Sequence, residues 1–395
     1  MERVRNGSAA LVLTVMAGVA GVGVPAPEAK AHETDQYTLP LNRPFADLGD
    51  WMDAVHYRAV QRAVDKLNEA TRVALEEPDA LKREAALNYI RSPERAVNLV
   101  QDSFSDAFTE IQDMESALRS DAMLKAYPNQ ITGYRTGDWI YRRTHYWVDP
   151  RNIVLMFKSS TMKAYGVYFG TDKLSHFHHM GRIYYESYLK QRRNGMTDEE
   201  ATRYVVKHYA AGNAIGENAL LGFVATGVYS NADLAANFMG MKFNINVTEP
   251  VTFKGKTLEP MIVRKGNFFR VNKHVRPESG WFGAFVDDRW NEALNPSLYS
   301  WEIRDDVRGA LAGRADTIAQ FYTRVDGRPA DPVYYVDLAH QLSTLDGEDY
   351  GHCQKWDRLM TLAQVCWPAW SVTPVTRSTD RGPGDVKTPA VGTEN

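Results

Sequence analysis

The sequence predicts a mainly α protein, a helical core carrying a small β-hairpin or sheet insertion. Three observations lead there. Apolar residues recur at Trp51, Val55, Ala59, Val60, Ala63, Val64 and Leu67, the rhythm that turns one helix face toward a core. Two helix starts are written out: Ser92-Pro93-Glu94, an N-cap followed by proline, and Thr197 with Glu200 three residues on, the spacing of a capping box. The character then changes over Phe243–Val275, where β-branched and aromatic residues cluster around Gly255 and Gly266.

At the N-terminus, Met1–Gly7 holds Arg3 and Arg5, Ala9–Val24 is apolar and uncharged, and Ala29-Lys30-Ala31 places small residues two apart. That is the pattern of a secretory signal peptide over residues 1–31, with cleavage before His32. The apolar run is short for a membrane span, which needs about 20 residues. The expectation is an exported chain, periplasmic or secreted, with no transmembrane span after cleavage. Its formal charge of −3 is near balance, so no nucleic-acid partner, which would want a concentrated basic face, is expected. Cys353 and Cys366 are the two cysteines. In an oxidising compartment they read as one disulfide, contributing about 3 kcal/mol by closing a short loop.

Residues 32–126 form an N-terminal region of amphipathic helices after an irregular arm, the second helix continuing from Pro93 through Val97, Val100, Phe104, Phe108, Ile111 and Met114. Residues 127–242 form a central helical domain. It opens with an aromatic, turn-rich stretch suited to short strands, continues in helices over Leu174–Lys190 and from Thr197, and passes through the Gly- and Ala-rich run Ala210–Val228. A last central helix starts at Ser230. After the β insertion at 243–275, helices are expected around Asp288–Ala293, Trp301–Leu311, Asp316–Tyr322, Leu338–Leu345 and Lys355–Gln364 within a C-terminal helical region, 276–370. Residues 371–395, rich in Pro, Thr and Gly, read as a disordered tail.

Chemistry concentrates between Gly170 and Gly240. Asp172 and His176, and again Asp233 and Asn237, are spaced four apart and so share a helix face. Glu217 is a charge in an apolar run, which must be paired or exposed. There is no P-loop, dinucleotide fingerprint, Gly-x-Ser-x-Gly elbow or His-Glu-x-x-His. Asp172, His176, Glu217 and Asp233 are hard and borderline ligands suited to zinc, manganese or iron, and a bound divalent metal would make hydroxide for hydrolysis. Without a metal, Asp172, His176 and Glu217 are candidate acid, base and orienting groups. A purely structural account is equally complete: Asp172 sits at a helix start, and Ser230 with Asp233 forms an N-cap pair.

The pattern Asp172-Lys173-x-x-His176, then Glu217, then Ser230-x-x-Asp233-Leu234-x-x-Asn237-x-x-Gly240 resembles the signature of VanZ-like and YfiM-like bacterial envelope proteins. The resemblance covers about 70 residues. It implies a helical unit with a shared polar cluster, an envelope role, and Lys173, Ser230 and Asn237 in support. VanZ helices span a membrane, whereas Leu174–Lys190 here is too polar to do so. Three functions remain in play. One is a metal-dependent hydrolase acting on an envelope component or small-molecule substrate. Another is a non-catalytic envelope protein whose cluster locks helices together. The third is a carbohydrate-binding or carbohydrate-cleaving protein using Trp139 and Trp147.

Overall fold

The spacing from Trp51 to Leu67 becomes helix α1 (Gly49–Glu76), with Met52, Ala59, Val60, Ala63, Val64 and Leu67 buried along one face. It belongs to a computed structural model that describes residues 31–33, 36–37, 39–42, 45–105, 118, 120–126, 131–132, 140, 156–211 and 227–368. Helix α2 (Ala80–Ile90) follows, started by Asp79, whose carboxylate accepts from the Leu81 and Lys82 amides. Helix α3 (Pro93–Ser105) begins where Ser92-Pro93 indicates, with the Ser92 hydroxyl accepting from the Arg95 amide at 3.3 Å. A short α4 (Asp121–Ala126) comes next; Phe108, Ile111 and Met114 lie outside the described residues.

The turn-rich stretch forms short strands as expected. Strand β1 (Ala31–Glu33), part of the N-terminal arm, runs parallel to β3 (Met156–Lys158), while β2 (Ile131–Thr132), β4 (Thr161–Ala164) and β5 (Val167–Gly170) make an antiparallel sheet. The chain then enters α5 (Asp172–Ser175), a π-helical turn (His176–Met180) and α6 (Gly181–Arg193) without leaving helical dihedrals. Helix α7 (Asp198–Ala211) starts with the expected capping box: Glu200 accepts from the Thr197 amide and the Thr197 hydroxyl from the Glu200 amide. Most of the Gly- and Ala-rich run, residues 212–226 with Glu217, is outside the described residues.

Strand β6 (Val228–Tyr229) leads to α8 (Asn231–Asn246), every residue of which is buried. Helices α6 and α8 touch through glycine. A Cβ built on Gly181 would lie 2.6 Å from the Gly240 Cα, and one on Gly240 would overlap the Phe177 carbonyl. The β insertion is two hairpins, β7 (Val251–Phe253) with β8 (Lys256–Leu258) and β9 (Ile262–Lys265) with β10 (Phe268–Val271). Gly255 and Gly266, at φ +68° and +63°, make the turns.

In the C-terminal part, a 3₁₀ turn (Phe282–Phe285) and strand β11 (Leu298–Tyr299), paired with β6, precede α9 (Trp301–Ala312), α10 (Ala315–Gln320), α11 (Pro332–Leu342) and α12 (Leu362–Cys366). Two expected helices are corrected. Asp288–Ala293 is a 3₁₀ turn (Asp288–Trp290) and then an Asx turn, because the Asn291 side chain accepts from the Ala293 and Leu294 amides and draws the backbone out of a helix. Lys355–Gln364 is helical only from Leu362, because Thr361 is an extended N-cap. Helix α11 starts earlier than Leu338, at Pro332, behind the Asp331 cap. The expected disulfide is also corrected. Both thiols are free: Cys353 packs on the larger apolar cluster, its amide bonded to Asn231, while Cys366 packs with the separate cluster around α9 to α12.

Candidate functional site

The sequence after β5 places Asp172 at the first turn of α5, where the dipole favours a carboxylate. Its amide is held by the Ser159 hydroxyl at 3.0 Å. Four residues on comes His176; across the glycine contact, α8 presents Asp233 and Asn237. Ser230 caps α8, its hydroxyl accepting from the Asp233 amide at 3.1 Å. Asp172, His176, Asp233 and Asn237 are therefore brought together, as their spacing indicates.

At the centre is Lys173. Its ammonium is fully buried and bonds the Asp172 carboxylate at 2.9 Å, the Asp233 carboxylate at 2.5 Å, and Glu292. Burial alone would push the ammonium toward its neutral form, but the three carboxyl groups outweigh that and hold its pKa well above the ordinary range. Glu292 behaves oppositely. Burial, reinforced by Asp172 and Asp233 and opposed by Lys173, raises its pKa to about 8. Its Oε1 also accepts from the Ser230 hydroxyl at 3.4 Å, and its amide donates to the Gln36 side chain at 2.7 Å.

His176 stands at the edge of the cluster with 13% of its side chain exposed and Nε2 3.3 Å from Asp233 Oδ2. With the Asn237 amide oriented to satisfy its neighbours, its nitrogen donates to His176 Nδ1 at 3.0 Å and also reaches the Asp233 and His176 carbonyls. His176 then keeps its proton on Nε2 and donates it to Asp233. Both ring nitrogens are engaged inside the protein.

One oxygen from each of Asp172, Asp233 and Glu292 lies within 4.8 Å of the others, close enough to share a cation. The cation they share is the Lys173 ammonium. Of the expected metal set, Asp172 and Asp233 converge and His176 turns its Nε2 onto Asp233; Glu217 lies outside the described residues, as do Trp139 and Trp147. A metal ion would have to displace the ammonium to use all three carboxyl groups.

His178, two residues past His176, points the other way. Its ring stacks on Phe104, and its Nε2 is 3.1 Å from Nε2 of His56 on α1. The His56 ring stacks on Phe282 with its Nδ1 2.7 Å from the Met52 carbonyl. Burial lowers the pKa of His56 to about 3 and that of His178 well below its ordinary value. Sequence reasoning missed Glu292 and His56. Glu292 carried a usable signal, a lone charge in Trp290-Asn291-Glu292-Ala293-Leu294, which is the argument applied to Glu217.

Comparison of the chain with protein-family models, with curated proteins and with solved structures returns no match. The resemblance to VanZ-like proteins therefore rests on its motif residues.

Proposed function

We propose that the chain is an exported, non-catalytic envelope protein in which the Asp172/Lys173/Asp233/Glu292 cluster is an ion lock joining α5, α8 and the turn after Trp290. The observation that carries this is the Lys173 ammonium at the centre of three carboxyl groups, fully buried. A buried ion pair adds little over an apolar core, but removing one partner costs about 3–5 kcal/mol. The arrangement therefore defines one geometry rather than merely adding stability. The export assignment is supported by the signal-peptide pattern of residues 1–31, and the envelope assignment by the motif resemblance.

A second reading, a hydrolase acting on an envelope component, is favoured by one feature. Glu292 holds a proton near neutral pH in the same cluster whose Asp233 meets the partly exposed His176, and shifted carboxyls of this kind serve acid–base chemistry. Two measurements separate the readings. Elemental analysis of the exported protein, wild type beside His176→Ala, gives no stoichiometric zinc, manganese or iron in either on the lock reading; metal lost in the variant sinks it. Thermal and urea unfolding of Lys173→Met then gives a loss of about 3–5 kcal/mol. A loss below about 1 kcal/mol is incompatible with the lock.

A further inference from the structure

We infer that the β9–β10 hairpin together with α2 is a docking face for an anionic phospholipid bilayer. This stands on a different part of the molecule from the ion lock and does not depend on it. The pairing register Phe268 with Lys265, Phe269 with Arg264, Arg270 with Val263 and Val271 with Ile262 divides the hairpin into two faces, because directly paired residues point the same way. On one face Ile262, Phe269 and Val271 turn toward α1, where Asn68 exchanges hydrogen bonds with both backbone groups of Phe269 at 2.7 and 3.0 Å. On the other, Lys265, Phe268 and Arg270 are exposed, Phe268 by 41% of its surface.

The hairpin tip is bonded to the chain just after α2. Arg91, just after α2, donates to Asn267 at the hairpin tip at 2.9 Å. Two residues earlier is Tyr89, 62% exposed, with the Arg95 guanidinium 5.7 Å from its ring. Leu81, Ala85 and Tyr89 are four apart along α2 and all exposed, Leu81 by 80%. An exposed apolar stripe thus lies on the helix whose end is bonded to the basic, aromatic hairpin tip.

Charge selects the occupant. The chain is formally −3 overall, yet between Met261 and Pro277 it carries Arg264, Lys265, Arg270, Lys273, Arg276 and His274 with no Asp or Glu; Lys265 and Arg270 lie on the outer face, and Arg264, paired with Phe269, on the other. Exposed Glu84 lies on α2 beside the stripe and Glu259 and Glu278 flank the basic run, so the positive charge is local to the hairpin; Glu94 pairs with Arg193 and Glu69 with Arg72. Basic side chains are drawn to an anionic surface, and Tyr and Phe at the same level bury their rings among headgroups. Lone charge would suit any polyanion; the exposed apolar stripe beside it is what a bilayer interface covers and a nucleic acid or acidic polysaccharide leaves wet. No described helix is long and apolar enough to cross a membrane, so the contact is peripheral.

The test is co-sedimentation of the full mature chain with vesicles of phosphatidylglycerol and phosphatidylcholine mixed, and of phosphatidylcholine alone, at low and high salt. Wild type is expected to sediment with the anionic vesicles only and to be released by salt. The double variant Lys265→Glu/Arg270→Glu is expected to bind at least tenfold more weakly, and Phe268→Ala several-fold more weakly with its salt dependence kept. Both change exposed side chains, and unaltered circular dichroism and melting temperature check that folding is intact. No sedimentation of wild type, or equal binding by the double variant, overturns the inference. Binding to DNA or an acidic polysaccharide but not to vesicles also overturns it, in favour of a polyanion.

Discussion

Glu292 carries the largest consequence of any single side chain. Its pKa in the folded protein, about 8, lies above the ordinary carboxyl value near 4.3 that the unfolded chain would show. The folded state therefore binds a proton that the unfolded state releases between those values. Stability from this group is complete below about pH 4 and is lost as pH rises through about 8, at up to about 1.4 kcal/mol per pH unit. Glu292→Gln keeps the neutral shape and the hydrogen-bonding oxygen while removing the titration. The variant is expected to match wild type near pH 4 and to exceed it by a few kcal/mol near pH 8, read by urea unfolding at each pH. If both proteins lose stability equally over that range, the raised pKa is wrong.

Among the elements, the pair α6 and α8 decides the site, and its decisive contact is between glycines. Gly240→Ala puts a methyl group against the Phe177 carbonyl. The better helix propensity of alanine, worth about 1 kcal/mol, is outweighed by overpacking of about 1–3 kcal/mol, so a net loss of stability is expected. Gly309 in α9 has open space around its Cβ position, and Gly309→Ala is expected to stabilise by about 0.5–1 kcal/mol. Melting curves of the two variants should move in opposite directions. The elements themselves were legible wherever local chemistry decides them, as with the Ser92-Pro93 start, the Thr197/Glu200 box and the glycine-turned hairpin. They were not legible where a side chain overrode the pattern, as Asn291 does by closing an Asx turn. Helix α2 escaped notice because Leu81, Ala85 and Tyr89 face outward and mimic no buried stripe.

For the molecule as a whole, two opposed titrations set the pH profile. His56, lowered to about 3, His178, and His352, lowered by burial to about 4, contribute stability that is complete above the unfolded value near 6.5 and lost as pH falls toward those lowered values. Glu292 acts in the other direction. Stability is expected to peak between about pH 6 and 7; a profile still rising at pH 8 would contradict it, and Glu292→Gln should flatten the fall above the peak and steepen the rise between about pH 4 and 6.5. The half of the site contained in Asp172–His176 and Ser230–Asn237 was legible because helical spacing fixes neighbours within a turn. Glu292 and His56 were not, since nothing local says which distant segment will meet Lys173 or His178. That distance has a temporal side. Lys173 meets Glu292 only after 119 further residues have been made, roughly ten seconds at ribosomal rates of about 5–20 residues per second. A nascent chain would spend that interval with a lysine it has no finished place to bury. Release of the completed chain presents every partner at once, so this architecture suits folding after synthesis better than folding during it.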